Sequence, residues 1–380
     1  MSASGAAPGS LASYRPELRP RVLLSDPLLD GAATVHLIKD AETGNSFKVG
    51  AKEHFLIARM DGERSLAEIG EAYAGEYGRR LADAHWQQLL ALLGAKGLLA
   101  GAPAQKAPAA APGSAPAPAP VPERRTLLRG TLPLVADADA TTARLHRALG
   151  FLLAPWAMAP LLVLILAMEA VVIARSGELL LAVRELFGNP VLLTGTAVLL
   201  WVSTALHELA HGVVARHHGG RVAEIGLRWR LPAVIMYCTV DDYLYLGSRR
   251  HRIATAAAGA VMNLLFLLPF CALWLFAPLD SATHEAFAAL LFLGSVQAFA
   301  MLVPLPPLDG YRIAGQLAGA TGLAASAGVY LRLALRRAPE AAAYPRRARI
   351  AYSAYVSVTV LVLALVVAAV VAAAHHLLTA

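Results

Sequence analysis

Two histidines and a glutamate, His207, Glu208 and His211, form an HExxH sequence inside a long apolar stretch. In a helix, His207 and His211 lie about 40° apart on one face, because each residue turns the helix by about 100°. Both imidazoles can then bind one metal ion. Glu208 lies next to His207, about 100° around the helix, where it can hold and deprotonate a metal-bound water instead of binding the metal. The pattern therefore predicts a metal site with a general base beside it.

The same motif also arises by chance, in about one of fifty chains of this composition. Its location favours metal binding, because two histidines and a glutamate within an apolar segment are costly to bury unless they have partners or water. Hydrogen bonds between helices are the alternative that would satisfy these side chains.

A third metal ligand must lie elsewhere, since hydrolytic zinc sites usually combine three protein ligands with an open position for water. Asp309, in the segment MLVPLPPLDGYR, is the candidate. The prolines at 304, 306 and 307 prevent a regular helix and leave a segment that can turn back into a cavity. A helix N-cap at Asp309 is the alternative. The only two cysteines exclude an all-cysteine zinc site.

Asn263 lies about ten residues into the next apolar stretch, at a depth similar to that of His207. It could donate a hydrogen bond to a substrate carbonyl or oxyanion. A hydrogen bond that joins two helices is the alternative role.

The chain has 380 residues, of which 57% are hydrophobic and 16% are charged. This balance is more apolar than a soluble domain needs. We expect a mainly α-helical, polytopic bundle of about five membrane spans. The spans are predicted at residues 150–174, 190–215, 253–276, 285–303 and 351–374. Residues 178–187 and 231–246 are too short or too polar to cross alone, and 231–246 favours a re-entrant hairpin beside the site.

Arginines cluster before the first span, between the second and third spans, and between the fourth and fifth. The positive-inside rule places these regions in the cytoplasm, together with the N-terminus. The same rule accounts for the net charge of +7, so nucleic acid is not expected as a partner. No secretory signal pattern opens the sequence. We expect a multi-pass protein of the inner (cytoplasmic) membrane, with its active site towards the cytoplasm.

Four regions follow one another along the chain. We predict a disordered tail at 1–26, a small α+β domain at 27–100, an Ala/Pro-rich linker at 101–123 and the membrane-embedded domain at 124–380. Within the small domain, strands are predicted at Ala33–Ile38 and Ser46–Val49, and helices at 51–60, 65–77 and 82–99. Ser65 and Glu68 form a capping-box pattern.

The membrane half resembles the site-2 protease family of intramembrane zinc metallopeptidases over about residues 150–375. In that family, an HExxH helix, a Gly-x-x-x-Asn helix and an LDG segment follow in this order. The matching pieces here are His207–His211, Gly259–Asn263 and Leu308–Gly310. The family often has an asparagine ahead of the LDG segment, where this chain has Met301–Pro304, and no PDZ-like insert is evident.

This resemblance implies a Zn2+ ion bound by His207, His211 and Asp309, with Glu208 as the catalytic residue and Asn263 near the substrate. The expected reaction is hydrolysis of a peptide bond in a peptide or small membrane protein. Two alternatives remain open at this point: a regulatory protease that cleaves a single-span signalling protein, and a non-catalytic export or receptor protein.

The small front domain looks like the winged-helix module of peptide-modifying systems, similar to protein D of pyrroloquinoline quinone biosynthesis (PqqD). The resemblance rests on the two strands, on Phe55–Gly62, on Ser65–Ile69 and on a final helix that ends at Gly97–Leu99. It implies binding of a leader peptide, from a ribosomally made modified peptide, as an added strand. A generic winged helix that binds DNA or packs on the membrane domain is the alternative.

The remaining polar residues of the membrane half are predicted to have structural roles. Glu169 is expected to snorkel towards the outer membrane face. We expect interfacial positions for His217, His218, His375 and His376, apolar packing for Cys238 and Cys271, and a hairpin turn at Asp241 and Asp242.

Overall fold

A computed structural model describes residues 11–100, 126, 128–230 and 233–379. The chain divides into two compact units, Met1–Val121 and Pro122–Ala380. The predicted linker, residues 101–123, lies outside the described residues.

The first unit is a small antiparallel sheet covered by three helices. Its elements are β1 (Val22–Leu24), β2 (Leu28–Asp30), β3 (Ala33–Asp40), β4 (Ser46–Gly50), α1 (Ala51–Ile57), α2 (Leu66–Tyr77) and α3 (Asp83–Ala95). The central strand β3 pairs with β1 and β2 along one edge and with β4 along the other. The two strands and three helices expected from the sequence are present with shifted ends, while β1 and β2 were not foreseen.

The predicted disordered tail, residues 1–26, is contradicted over its described part. Leu18 forms a bridge with Leu99, and β1 pairs with the end of β3. The physical reason is burial, since Leu18, Val22 and Leu24 pack against the core of this unit. Strand β1 has only three residues, too few to form a periodic pattern in the sequence.

The capping box at the start of α2 is confirmed. The backbone N–H of Ser65 donates to Oε2 of Glu68 over 2.7 Å, and the backbone N–H of Glu68 lies 3.3 Å from Oγ of Ser65. Two N–H groups that the helix itself leaves unpaired are thereby satisfied.

The second unit contains the five expected long apolar helices. In chain order, its elements are β5 (Arg129–Pro133), α4 (Ala138–Leu149), α5 (Pro155–Ala174), α6 (Ser176–Leu186), α7 (Pro190–His217), β6 (Arg221–Arg230), β7 (Ala233–Asp241), α8 (Arg249–Phe276), α9 (Ser281–Met301), α10 (Asp309–Ala318), α11 (Leu323–Leu335) and α12 (Arg346–Thr379). Five of these, α5, α7, α8, α9 and α12, are long and apolar enough to cross a membrane.

The core of this unit lies where α5, α6, α8 and α9 meet, around buried side chains such as Leu179, Leu267 and Leu290. Glu169 of α5 is buried here and accepts a hydrogen bond of 2.8 Å from Oγ of Ser295 on α9. The expected snorkelling of Glu169 is therefore wrong, because a hydroxyl on the neighbouring helix satisfies its carboxyl group inside the bundle.

A three-stranded antiparallel sheet in the order β5-β6-β7 lies beside α7. The predicted hairpin at 231–246 is correct only for its second strand. Its first strand is β6, which the sequence assigned to a charged loop because arginines occupy its exposed positions while Val222 and Ile225 are buried. Asp241 ends β7 and pairs with Arg221 at the start of β6, and Asp242 is a turn residue with φ 57° that precedes a short 3-10 helix, so the two aspartates lie at the open end of the hairpin and not in its turn.

We predict that the first unit loses stability as the pH falls from 6.5 towards 4. The ring of His54 stacks on His36 with centroids 3.6 Å apart. Burial, His36 and Arg59 lower the pKa of His54 from 6.5 to about 4. The folded state therefore resists protonation, so its stability is complete above pH 6.5 and declines below it.

Hydrogen exchange of the α1 amides between pH 7 and pH 4.5, corrected for the intrinsic rate, measures this effect. A His54→Gln chain should show a weaker pH dependence than the natural chain. A His85→Gln chain, altered at an exposed histidine of α3, should behave like the natural chain. Equal pH dependence in the natural and His54→Gln chains would contradict the prediction.

Candidate metal centre

Three side chains from two distant parts of the chain meet at one buried point. Nε2 of His207 lies 2.9 Å from Oδ2 of Asp309, and Nε2 of His211 lies 3.1 Å from the same oxygen. The two Nε2 atoms are 3.2 Å apart. All three residues are buried, and among the described residues they are the only group with metal-ligand spacing.

These distances suit a tetrahedral metal ion. With ligand bonds of about 2.0–2.1 Å, neighbouring ligand atoms of a tetrahedron lie about 3.3–3.4 Å apart. The three separations in this site are only a few tenths of an ångström shorter. Two imidazoles, one carboxylate and an open fourth position form the donor set of hydrolytic zinc sites.

A hydrogen bond at Nδ1 of His211, the ring nitrogen that faces away from Asp309, fixes the tautomer that metal binding needs. Nδ1 of His211 lies 2.7 Å from the backbone carbonyl oxygen of Thr255 on α8. A carbonyl oxygen only accepts, so Nδ1 carries the proton and Nε2 presents its lone pair to the site.

Asn263 lies against His207. Its amide group is 3.1 Å from Nδ1 of His207, and Oγ of Ser203 is 3.0 Å from the same amide. The amide can serve either tautomer of His207, because it offers an oxygen at one end and an NH2 group at the other. Asn263 thus shares a layer with His207, as its depth in the sequence predicted, and it orients this ligand. Its predicted role at a substrate oxyanion stays a prediction.

Glu208 lies beside the three ligand residues and is not one of them. Its Oε2 accepts a hydrogen bond of 3.1 Å from the backbone N–H of Cys238 on β7. This contact orients the carboxylate and leaves Oε1 available. The hairpin that the sequence predicted beside the site is therefore what holds this carboxylate.

Two glycines allow the close approach of neighbouring elements to α7. A β-carbon at Gly259 of α8 would overlap the ring of His207, so only glycine lets the two helices bring this ring and Asn263 together. A β-carbon at Gly212 would lie 3.0 Å from both Sγ of Cys238 and Thr142, so glycine also lets β7 and α4 pack beside His211.

Asp309 is the first residue of α10 and makes no side-chain capping bond within that helix. The alternative of a helix N-cap at Asp309 is therefore excluded, since its Oδ2 faces the two histidines. Burial alone would raise the pKa of Asp309, but its polar contacts with His207 and His211 lower this pKa well below its ordinary range. Asp309 is accordingly ionised and suited to a cation.

The far end of α10 is fixed by two arginines of α8. Nε of Arg252 donates to Oε1 of Gln316 over 2.7 Å, and Nη2 of Arg249 donates to the carbonyl oxygen of Leu317 over 2.8 Å. Arg252 is buried, although the sequence placed it with the charged loop residues. The sequence shows Arg252 only as one of several arginines before an apolar span, so it contained no signal that separates this clamp from the charged loop.

The comparison with known families gives one match. Residues 195–290 match the model of peptidase family M50. The match includes His207, Glu208, His211 and Asn263 and ends before Asp309. Members of family M50 are membrane metallopeptidases that generally depend on zinc, so the match supports a protease with this metal site.

The M50 match agrees with the resemblance to site-2 proteases found in the sequence. A search of curated proteins gave no match, and neither did a search of solved structures. The PqqD-like identity of the first unit stays a prediction.

Other candidate groups near the M50 segment do not join the metal site. Burial and the neighbouring Glu208 carboxylate raise the pKa of Cys238 to about 12, so its thiol stays protonated and is a poor ligand. At the end of α7, His217 lies 3.1 Å from His146, and His218 stacks on His251 with centroids 4.1 Å apart. The sequence predicted an interfacial location for His217 and His218. It did not predict their contacts with His146 and His251, which depend on how α4 and α8 pack.

We predict that Asn263→Ala lowers the affinity for zinc by about 10–100-fold, the range found when a group that orients a metal ligand is removed. Competition with a chelator measures the affinity. Gln297→Ala is the matched control, because this amide also bonds to α7, at Thr204, without touching a ligand. An equal loss of zinc affinity in both variants would show that Asn263 only joins helices.

Proposed function

We propose that this chain is an intramembrane zinc metalloendopeptidase. The observation that supports the proposal most strongly is the convergence of Asp309 of α10 with His207 and His211, which lie beside Glu208 in a helix long and apolar enough to span a membrane. The site lies ten residues before the end of α7, about 15 Å along the helix. Placing three polar side chains in an apolar interior is costly, and a bound cation would satisfy all three.

The two histidines and Asp309 would hold the zinc ion, which when bound lowers the pKa of water towards 7 and polarises the scissile carbonyl. Glu208 supplies the proton transfers. Its free oxygen accepts a proton from the attacking water, and the same carboxyl group then passes this proton to the leaving amine. The backbone N–H of Cys238 keeps Glu208 in position for both transfers.

We propose that Asn263 acts on the reaction through His207. Its amide lies on Nδ1 of this ligand and on Ser203, so it sets the direction of the imidazole. Stabilising a substrate oxyanion, the role expected from the sequence, would use the second N–H of the same amide.

For orientation, we propose that the site opens towards the cytoplasm of a cell bounded by an inner (cytoplasmic) membrane. The arginines at the starts of α8 and α12, Arg249, Arg250, Arg346 and Arg347, support this orientation.

We further propose that the first unit recruits the substrate, a peptide or small membrane protein such as the leader peptide of a modified peptide. Two features of that unit support this idea. The outer edge of β4 has no partner strand among the described residues. A groove of about 470 Å3 also runs beside α1 and α3, with Arg79 and Arg80 at its rim and Leu56 and Leu89 in its wall. Such a groove suits an apolar peptide with acidic residues.

We predict that Glu208→Gln lowers the cleavage rate by about 10²–10⁴-fold, the usual contribution of a general base, while the zinc content stays unchanged. Peptides that accumulate in a strain carrying Glu208→Gln would identify the substrate for this assay. Glu285→Gln, an exposed glutamate of α9, is the control and should cleave normally. Undiminished cleavage by the Glu208→Gln chain would exclude the mechanism.

We predict that the paired change Arg79→Gln with Arg80→Gln raises KM for that peptide about tenfold and leaves kcat unchanged, because the groove would bind a part of the substrate other than the scissile bond. The pair Arg21→Gln with Arg64→Gln removes the same charge outside the groove and should leave KM unchanged. Deletion of residues 27–100 should raise KM further. If this deletion changed neither constant, recruitment by the first unit would be refuted.

A further inference from the structure

A second cavity, of about 750 Å3, lies between α10 and α12 and is separate from the metal site. Three arginines line it, Arg249 at the start of α8 and Arg346 and Arg347 at the start of α12. Its volume falls within the range of small-molecule sites.

The three arginines form a concentrated positive charge. A β-carbon at Gly319 would lie 2.8 Å from Nη2 of Arg347 and 3.3 Å from Nη2 of Arg249, so these two guanidinium groups face the same point. Within the described part of the chain, no carboxylate pairs with any of the three. Guanidinium groups bind phosphate oxygens well, through pairs of parallel hydrogen bonds.

The rest of the cavity is apolar and follows a membrane-spanning helix. Ile350, Ala354 and Val358 lie four residues apart on one face of α12 and line the cavity over about two helical turns, roughly 12 Å. Ile350 and Val358 are more than half exposed. The small side chain of Ala354 leaves room between them.

We propose that this cavity between α10 and α12 binds one phospholipid with an anionic phosphate headgroup. The arginines at the helix starts receive the phosphate, and the apolar face of α12 receives the upper part of an acyl chain. The charge lies where the spans α8 and α12 both begin, the level at which lipid headgroups meet a membrane protein. A free anion would satisfy the arginines but leave the apolar wall of the groove uncovered.

The groove also borders the segment that carries Asp309. The hydroxyl of Tyr355, which lines the cavity, donates to the carbonyl oxygen of Pro304 over 3.0 Å, and Arg249 bonds to the end of α10. A bound lipid would therefore contact Tyr355, which holds the segment before α10, and Arg249, which holds the end of α10.

Native mass spectrometry of the full chain, extracted from vesicles of phosphatidylcholine and phosphatidylglycerol, tests the proposal without any catalytic readout. The natural chain should retain one phosphatidylglycerol molecule. The paired change Arg346→Gln with Arg347→Gln should lower this retention about tenfold. The pair Arg336→Gln with Arg349→Gln, exposed arginines outside the groove, should retain the lipid like the natural chain.

Ala354→Phe fills the apolar part of the groove and keeps every arginine, so it should also reduce retention. Excess inorganic phosphate should not displace the lipid. Equal retention in all variants, equal retention of phosphatidylcholine, or displacement by phosphate would overturn the proposal. The proposal would also be overturned if these variants kept the lipid but lost binding to a substrate helix or to a second copy of the chain. The cavity would then be a binding site for a protein.

Discussion

The meeting of two imidazole nitrogens and one carboxylate oxygen in the apolar interior is the constraint on which the membrane unit depends. Buried polar atoms are costly unless each has a partner. Nε2 of His207 and Nε2 of His211 lie 3.2 Å apart, and both face Oδ2 of Asp309. A cation shared by the three atoms satisfies all of them at once, and the rest of the unit keeps them in place.

The supports of the site come from every side of α7. Thr255 and Asn263 of α8 orient the two imidazoles, and Cys238 of β7 orients Glu208. Arg252 holds the far end of the helix that begins with Asp309. The two histidines therefore each have a partner on the ring nitrogen that faces away from Asp309, an arrangement that fixes tautomers and ring directions in metal sites.

The sheet shows how a polar element can serve a buried site. Strand β6 keeps arginines on one face and buries Val222 and Ile225 on the other, and β7 carries a backbone N–H to Glu208. A backbone donor does not depend on the side chain at that position. The carboxylate is thus oriented by the geometry of the strand.

The sequence by itself determined the features that depend on local pattern. Apolar length predicted the five spans, because a helix must reach across the hydrocarbon layer. The four-residue spacing of His207 and His211 predicted a shared face, and the Ser65 and Glu68 pair predicted a helix start. The PqqD-like identity of the first unit and the substrate remain predictions.

Only the tertiary structure decided the features that depend on distant residues. It brought Asp309 to His207 across about a hundred positions of the chain and excluded its role as an N-cap. It also showed that β6 is a strand and that Asn263 lies on a ligand. Contacts between residues far apart in the chain depend on how helices pack, and the pattern of a single segment contains no information about its neighbours in space.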